Sequence, residues 1–138
     1  MGNCHPMKIA VLSLLVCLPL VGVKAQSTNS VWVSDVLIKK SLDDLDNYYA
    51  DVPSAVNCAK TKKMAERLIC NSQYLQQAEL LNTRAEAYAI ENGTKKQLNH
   101  ARFRGTIPIA CTSENCVYEY FKSKTNDSLG GESPYYQP

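Results

Sequence analysis

The spacing of apolar side chains constrains the fold of this chain more than any other feature. In five stretches, apolar residues recur at steps of three and four, which places them on one face of a helix. The alternation typical of strands occurs only at Val31-Trp32-Val33 and is too short to count. The sequence therefore predicts an all-α fold, a small bundle of four to five helices. The predicted helices cover residues 35–50, about 61–70, the stretch from Ser72 to the Asn92-Gly93 stop, 95–104 and 114–126.

The pattern also predicts which side chains face the core. In the first helix these are Ile38, Leu42, Leu45 and Tyr49, and Ser34 is the predicted N-cap. In the short second helix they are Met64, Leu68 and Ile69. Thr94 and Ser113 are predicted to cap the last two helices, and the segment 105–110 between them is predicted to form a loop.

The first 25 residues have the pattern of a secretory signal peptide. Lys8 precedes a largely apolar run of about fifteen residues, which is shorter than the ~20 that a membrane-spanning helix needs. We expect cleavage after Ala25 and no membrane span thereafter. A retained anchor is the alternative, and Met7 is an alternative start to Met1. The domain organisation predicted is then a signal peptide (1–25), a flexible lead-in (26–34), a helical domain (35–128) and a flexible tail (129–138).

The charge balance of the remaining 113 residues disfavours nucleic acid as a partner. The whole chain has 15 Lys and Arg against 13 Asp and Glu, and its surplus comes from Lys8 and Lys24 in the predicted leader. Nucleic-acid binders need surplus positive charge to displace counterions from phosphates.

Four cysteines remain after the leader, an even number in a small exported domain, which predicts two disulfides. Three pairings are possible. The short separations, eleven intervening residues and then four, favour Cys58 with Cys70 and Cys111 with Cys116. A zinc site is the competing interpretation, but neither spacing is a Cys-x-x-Cys knuckle.

The residues around these cysteines resemble a known family. The resemblance rests on Asn57-Cys58-Ala59-Lys60, on Ala65-Glu66-Arg67-Leu68-Ile69-Cys70, on Glu79, and on Cys111, Cys116, Val117, Phe121 and Lys124. Together they are similar to the LprI-like lysozyme inhibitor domain over about residues 55–124. The resemblance implies an exported helical domain with the local disulfide pairing and, for some members, inhibition of lysozyme. Arg104 and Pro108 stand where the family usually has Trp and Arg, and residues 31–52, with the extra N-terminal helix, have no family counterpart.

Nothing in the sequence selects a catalytic centre, and we predict that the protein is not an enzyme. The single histidine after the leader, His100, lies between predicted helix residues and is interpreted as a surface or helix-terminal residue. The sequence contains no Gly-x-Ser-x-Gly, His-Glu-x-x-His or glycine-rich phosphate loop. We therefore expect no catalytic residues, no cofactor and no metal.

The leading functional hypothesis is a periplasmic or secreted binding protein that inhibits lysozyme or a related peptidoglycan-cleaving enzyme. Such a partner has two catalytic carboxylates in a cleft, so an inhibitor would offer acids for steering and a protruding loop with hydrogen-bond donors. Alternatives are a periplasmic immunity protein against a cell-wall-degrading toxin and a structural envelope protein without inhibitory role. The candidate steering residues are Asp43, Asp44 and Asp46, with Asp51 beside them. The candidate inserting element is either the loop 105–110 or the loop between Cys111 and Cys116, with Thr112, Ser113 and Asn115.

Overall fold

The computed structural model describes residues 31–100 and 107–136. These residues form five helices and, within those ranges, no strand, so the all-α prediction is confirmed. The predicted leader and residues 26–30 of the lead-in lie outside the described ranges. The helices are α1 (Asp35–Tyr49), α2 (Met64–Cys70), α3 (Gln73–Asn92), α4 (Lys95–His100) and α5 (Glu114–Leu129), with single 3-10 turns at Cys58–Lys60, Gly130–Glu132 and Pro134–Tyr136.

Helix α1 begins where the sequence predicts and buries the predicted face. Ser34 stands at the predicted N-cap position, but its side chain makes no capping hydrogen bond. Its four inward residues are all buried in the structure. Its outer face carries ion pairs one turn apart, Lys39 with Asp35 and Lys40 with Asp44. The buried residues are Ile38, Leu42, Leu45 and Tyr49.

Helix α2 begins three residues later than predicted, at Met64. The carboxylate of Glu66 accepts hydrogen bonds from the backbone N–H groups of Lys62 (2.9 Å) and Lys63 (3.1 Å), which fixes the first turn at this point. The prediction that Met64 faces the core is wrong, because its side chain is largely exposed and Ala65 is buried instead.

Helix α3 is the centre of the bundle and packs against α1, α2 and α5. Ser72 caps it by accepting a hydrogen bond from the Leu75 N–H. It ends as predicted before Gly93, where a β-carbon would collide with the backbone of Ala89. Because α3 is surrounded by other helices, its buried residues include polar and charged ones. They are Leu75, Ala78, Glu79, Leu81, Asn82, Thr83, Arg84, Ala85, Glu86, Ala87 and Ala89.

Helices α3 and α5 run in the same direction. Tyr74 at the start of α3 contacts Tyr118 at the start of α5, and Tyr88 and Leu129 near their ends line one cleft. Helix α5 extends three residues beyond its predicted end. For α4, the part of the prediction that covers residues 101–104 lies outside the described ranges.

The C-terminal segment packs on the bundle, at variance with the predicted flexible tail. In its described part, Pro134 and Tyr135 are buried, and the Tyr135 ring lies 5.8 Å from that of Tyr118 in an edge-on arrangement. The turn-forming residues before them bend the chain back so that these two apolar surfaces reach the core. The predicted flexible lead-in is corrected likewise at Trp32, whose ring stacks on Tyr118.

Both disulfides have the favoured local pairing. The Cα atoms are 5.6 Å apart for Cys58 and Cys70, and 5.4 Å apart for Cys111 and Cys116, within the usual range for a disulfide. Two disulfides in a small domain are typical of an oxidising, extracytoplasmic compartment. In the described part of the chain, no helix combines the length and hydropathy required to cross a membrane.

Candidate functional site

The disulfide between Cys111 and Cys116 closes a short exposed loop that includes the first turn of α5. Cys111 is 4% exposed and anchors the loop, whereas the residues from Thr112 to Cys116 are all exposed. Ser113 caps α5 as predicted, its hydroxyl accepting a hydrogen bond from the Cys116 N–H at 3.2 Å. The structure thus places Thr112, Ser113 and Asn115 together on one short exposed loop held at both ends.

The segment before this loop is also tightly turned. The Ile109 N–H donates to the Ile107 carbonyl at 2.8 Å, and the Cys111 N–H donates to the Pro108 carbonyl at 2.9 Å. Pro108 is buried, and Ile109 is 61% exposed. The turns therefore present an apolar side chain directly beside the loop.

An aromatic cluster holds the loop from the other side. The Trp32 indole N–H donates to Asn115 Oδ1 at 3.1 Å. The indole ring stacks on Tyr118, with ring centroids 4.8 Å apart, and lies 5.0 Å from Tyr74. The sequence indicates a core or staple role for Trp32. It does not indicate the hydrogen bond to Asn115, because the two residues are 83 positions apart.

The same tyrosines hold the backbone that carries Trp32. The Val33 N–H donates to the Tyr118 hydroxyl (3.0 Å), and the Val33 carbonyl accepts from the Tyr74 hydroxyl (2.7 Å). Burial, together with the neighbouring Tyr118, raises the pKa of Tyr74, and burial raises that of Tyr135. Both phenols are therefore protonated at neutral pH, and the Tyr74 hydroxyl can donate its hydrogen bond to the Val33 carbonyl.

The predicted acidic patch on α1 is divided between different roles. Asp43 is exposed, and Asp44 forms an exposed pair with Lys40 at 2.8 Å. Asp46 instead pairs with Arg84, a buried residue whose guanidinium also donates to the carbonyls of Ala50 (3.1 Å) and Val52 (3.3 Å). Asp46 is therefore part of the contact that fixes the end of α1, and its role as a steering residue stays a prediction.

A buried carboxylate on α3 holds the segment that leads to the first disulfide. Glu79 is 1% exposed and accepts hydrogen bonds from the Ala55 N–H (2.8 Å), the Ser54 hydroxyl (2.5 Å) and the Thr83 hydroxyl (2.9 Å). Because it accepts three hydrogen bonds, this carboxylate has a structural role: it joins the segment at residues 54–55 to α3. The helical pattern alone does not mark Glu79 as buried, because an acid in a helix is usually solvated.

The remaining predictions concern chemistry. The side chain of His100 lies outside the described part of the structure. Among residues 31–100 and 107–136, no group of three or more His, Cys, Asp or Glu side chains is arranged to hold a metal ion. The expectations that the protein is not an enzyme and needs no cofactor stay predictions.

Comparisons with known protein families, with curated proteins and with solved structures find no match for this chain. The resemblance to the LprI-like domain stays a prediction.

Proposed function

We propose that this chain is a periplasmic or secreted binding protein that inhibits lysozyme or a related peptidoglycan-cleaving enzyme, with the Cys111–Cys116 loop as its inserting element. The observation that carries the proposal is the loop itself, which is exposed over its length and fixed by a disulfide, a helix cap and Asn115. A loop that is ordered before binding loses little conformational entropy on binding, which favours tight association with a cleft.

The chemistry of the loop supports the same partner. The Thr112 hydroxyl supplies a donor that can meet a catalytic carboxylate in a glycosidase cleft. Ile109 beside it supplies an apolar contact that would be fully desolvated on insertion. The exposed Asp43 and Asp44 on α1 then act at longer range, increasing the association rate with a cationic hydrolase rather than forming the contact.

The test is a titration of lysozyme acting on a cell-wall suspension with the protein purified after export from a bacterial host. We expect inhibition at micromolar protein or below. We expect Ile109→Asp to weaken inhibition by about tenfold or more, because a charge would be buried at the contact. Ile90→Asp is the matched control, since Ile90 is an exposed apolar residue near the other end of α3.

The outcomes distinguish whether the protein inhibits a hydrolase from whether the loop is the contact surface. If micromolar protein leaves lysozyme and a panel of other peptidoglycan hydrolases fully active, the proposal is wrong. If inhibition occurs and both Asp variants inhibit equally well, the inhibitory function stands and the loop is not the contact.

A further inference from the structure

A cleft of about 590 Å³ lies at the opposite end of α3 and α5 from the disulfide-closed loop. It is formed by the last turns of these two helices, the first turn of α4 and the 3-10 turn Gly130–Glu132. Its volume lies within the range of small-molecule sites. The lining residues on which the argument depends are Tyr88, Asn92, Asn126, Gly131, Glu132 and Tyr136.

The walls of the cleft are tied together by hydrogen bonds. Gln97 of α4 donates from Nε2 to the Ser128 carbonyl at 2.9 Å and accepts at Oε1 from the Thr94 N–H at 2.7 Å. Gly130 ends α5 with a φ of 60°, a conformation that favours glycine and turns the chain back toward α4. These contacts connect α4, α5 and the turn, so the cleft is largely formed before any ligand binds.

Aromatic and amide side chains dominate the surface that a ligand would meet. Tyr136 is 58% exposed, and Tyr88 is half-buried. Asn92 uses its Nδ2 to donate to the Tyr49 hydroxyl at 2.7 Å, which fixes the amide plane. Asn126 also lines the cleft, and Asn92 and Glu132 are exposed there. Their amide and carboxylate groups can bond to ligand hydroxyls.

The charges around the cleft favour a neutral ligand over an anionic one. Lys96 is the cation among the lining residues, whereas Asp127 and Glu132 are both acidic. A phosphate or carboxylate ligand would meet a surplus of negative charge. An uncharged molecule with many hydroxyls fits better, because amides and carboxylates are strong hydrogen-bond partners for hydroxyl groups.

We propose that this cleft binds a neutral saccharide chain, with the Tyr88 and Tyr136 rings against the apolar faces of the sugar rings and with Asn92 and Glu132 bonded to their hydroxyls. Tyrosine suits this role because its ring combines a large apolar face with a polar end. The site is separate from the loop proposed to insert into a hydrolase, so the two proposals stand or fall independently.

The experiment uses the isotopically labelled protein, purified after export, titrated with chitotriose, cellotriose and maltotriose while amide resonances are followed by NMR. We expect saturable shifts with at least one of the three, centred on Asn126, Gly130 and Gly131, with a Kd of about 1 mM or below. No saturable shift with any of the three at about 10 mM, or shifts confined to other regions, would overturn the proposal.

Two variants change the cleft, and a third variant on α1 serves as the control. Tyr136→Ala removes an exposed ring, and Gly131→Leu places a side chain where no atom lies within 4 Å, so each should weaken binding by about tenfold. Tyr48→Ala removes a ring that is 85% exposed on α1, and it should bind as the unchanged protein does. Melting curves establish that each variant is folded. Folded Tyr136→Ala and Gly131→Leu proteins that bind with unchanged affinity would also overturn the proposal.

Discussion

The two disulfide-closed regions are built in opposite ways. The first, from Cys58 to Cys70, encloses α2, which packs on α3, and the segment leading into it is held from inside by the buried Glu79 carboxylate. The second, from Cys111 to Cys116, encloses exposed residues and is held from outside by Trp32. The same type of bond therefore stabilises the core in one region and presents a surface in the other. Four predictions test this comparison.

The largest effect is expected for Glu79→Ala, which would break the first region from within. The Ala55 N–H and the Ser54 and Thr83 hydroxyls would lose their shared acceptor at a buried position, at a cost of about 4 kcal/mol in the free energy of unfolding. Urea denaturation measures this directly. Glu119→Ala is the control, because Glu119 pairs with Lys122 at a half-exposed position and its loss should cost about 0.5 kcal/mol or less. Equal losses for the two variants would show that Glu79 does not hold this region.

Removing the first disulfide should have the next largest effect. The double variant Cys58→Ala/Cys70→Ala should lose about 3 kcal/mol of stability, because the unfolded chain regains the freedom of a thirteen-residue loop. The measurement is the denaturation midpoint with and without reductant. A midpoint of the unchanged protein that does not respond to reductant would count against a stabilising role.

The second disulfide should matter less for stability and more for binding. Cys111→Ala/Cys116→Ala should cost about 2 kcal/mol, because the loop that it closes is shorter. If the loop is the inserting element, the same variant should inhibit lysozyme much more weakly even at temperatures where it is fully folded. Full inhibition by the folded variant would remove the distinction between the two regions.

The smallest effect concerns the cap of α2 within the first region. Backbone hydrogen bonds from Lys62 and Lys63 lower the pKa of Glu66 in the folded protein. The folded state therefore binds fewer protons here than the unfolded state, so this contribution is present above about pH 5 and is lost as the pH falls through the lowered pKa. Glu66→Gln should make the stability less dependent on pH over the acidic range, as measured by urea denaturation at successive pH values. Parallel curves for the two proteins would show that Glu66 contributes nothing to the pH dependence.

The sequence predicts contacts between residues that are near in the chain better than contacts between residues that are far apart. The inward face of α1, the cap at Ser113 and the local disulfide pairing follow from spacings of a few residues, and the structure has them. The burial of Glu79 and the pairing of Asp46 with Arg84 depend on contacts across 24 to 38 positions. A periodic pattern does not contain that information. The sequence therefore groups Asp46 with its neighbours Asp43 and Asp44, although its partner Arg84 lies on another helix.

The tail shows the same limit in a different way. Glycine, serine and proline predict turns, and they do form turns in the structure, yet turns do not predict flexibility when the residues they position are apolar. Pro134 and Tyr135 are buried because the turn at Gly130 directs them back onto α5. The sequence does not predict the cleft at this end of the bundle for the same reason, since Gly130, Gly131, Glu132 and Tyr136 in its wall come from this segment.

The aromatic cluster also bears on the order in which the protein can assemble. Trp32 and Tyr135 both contact Tyr118, although about a hundred positions of chain separate them. The cluster is complete only when the segment that carries Tyr135 has packed, so a chain that lacks this segment would leave one side of the Tyr118 ring uncovered. We expect such incomplete chains to aggregate more readily, because they expose aromatic surface.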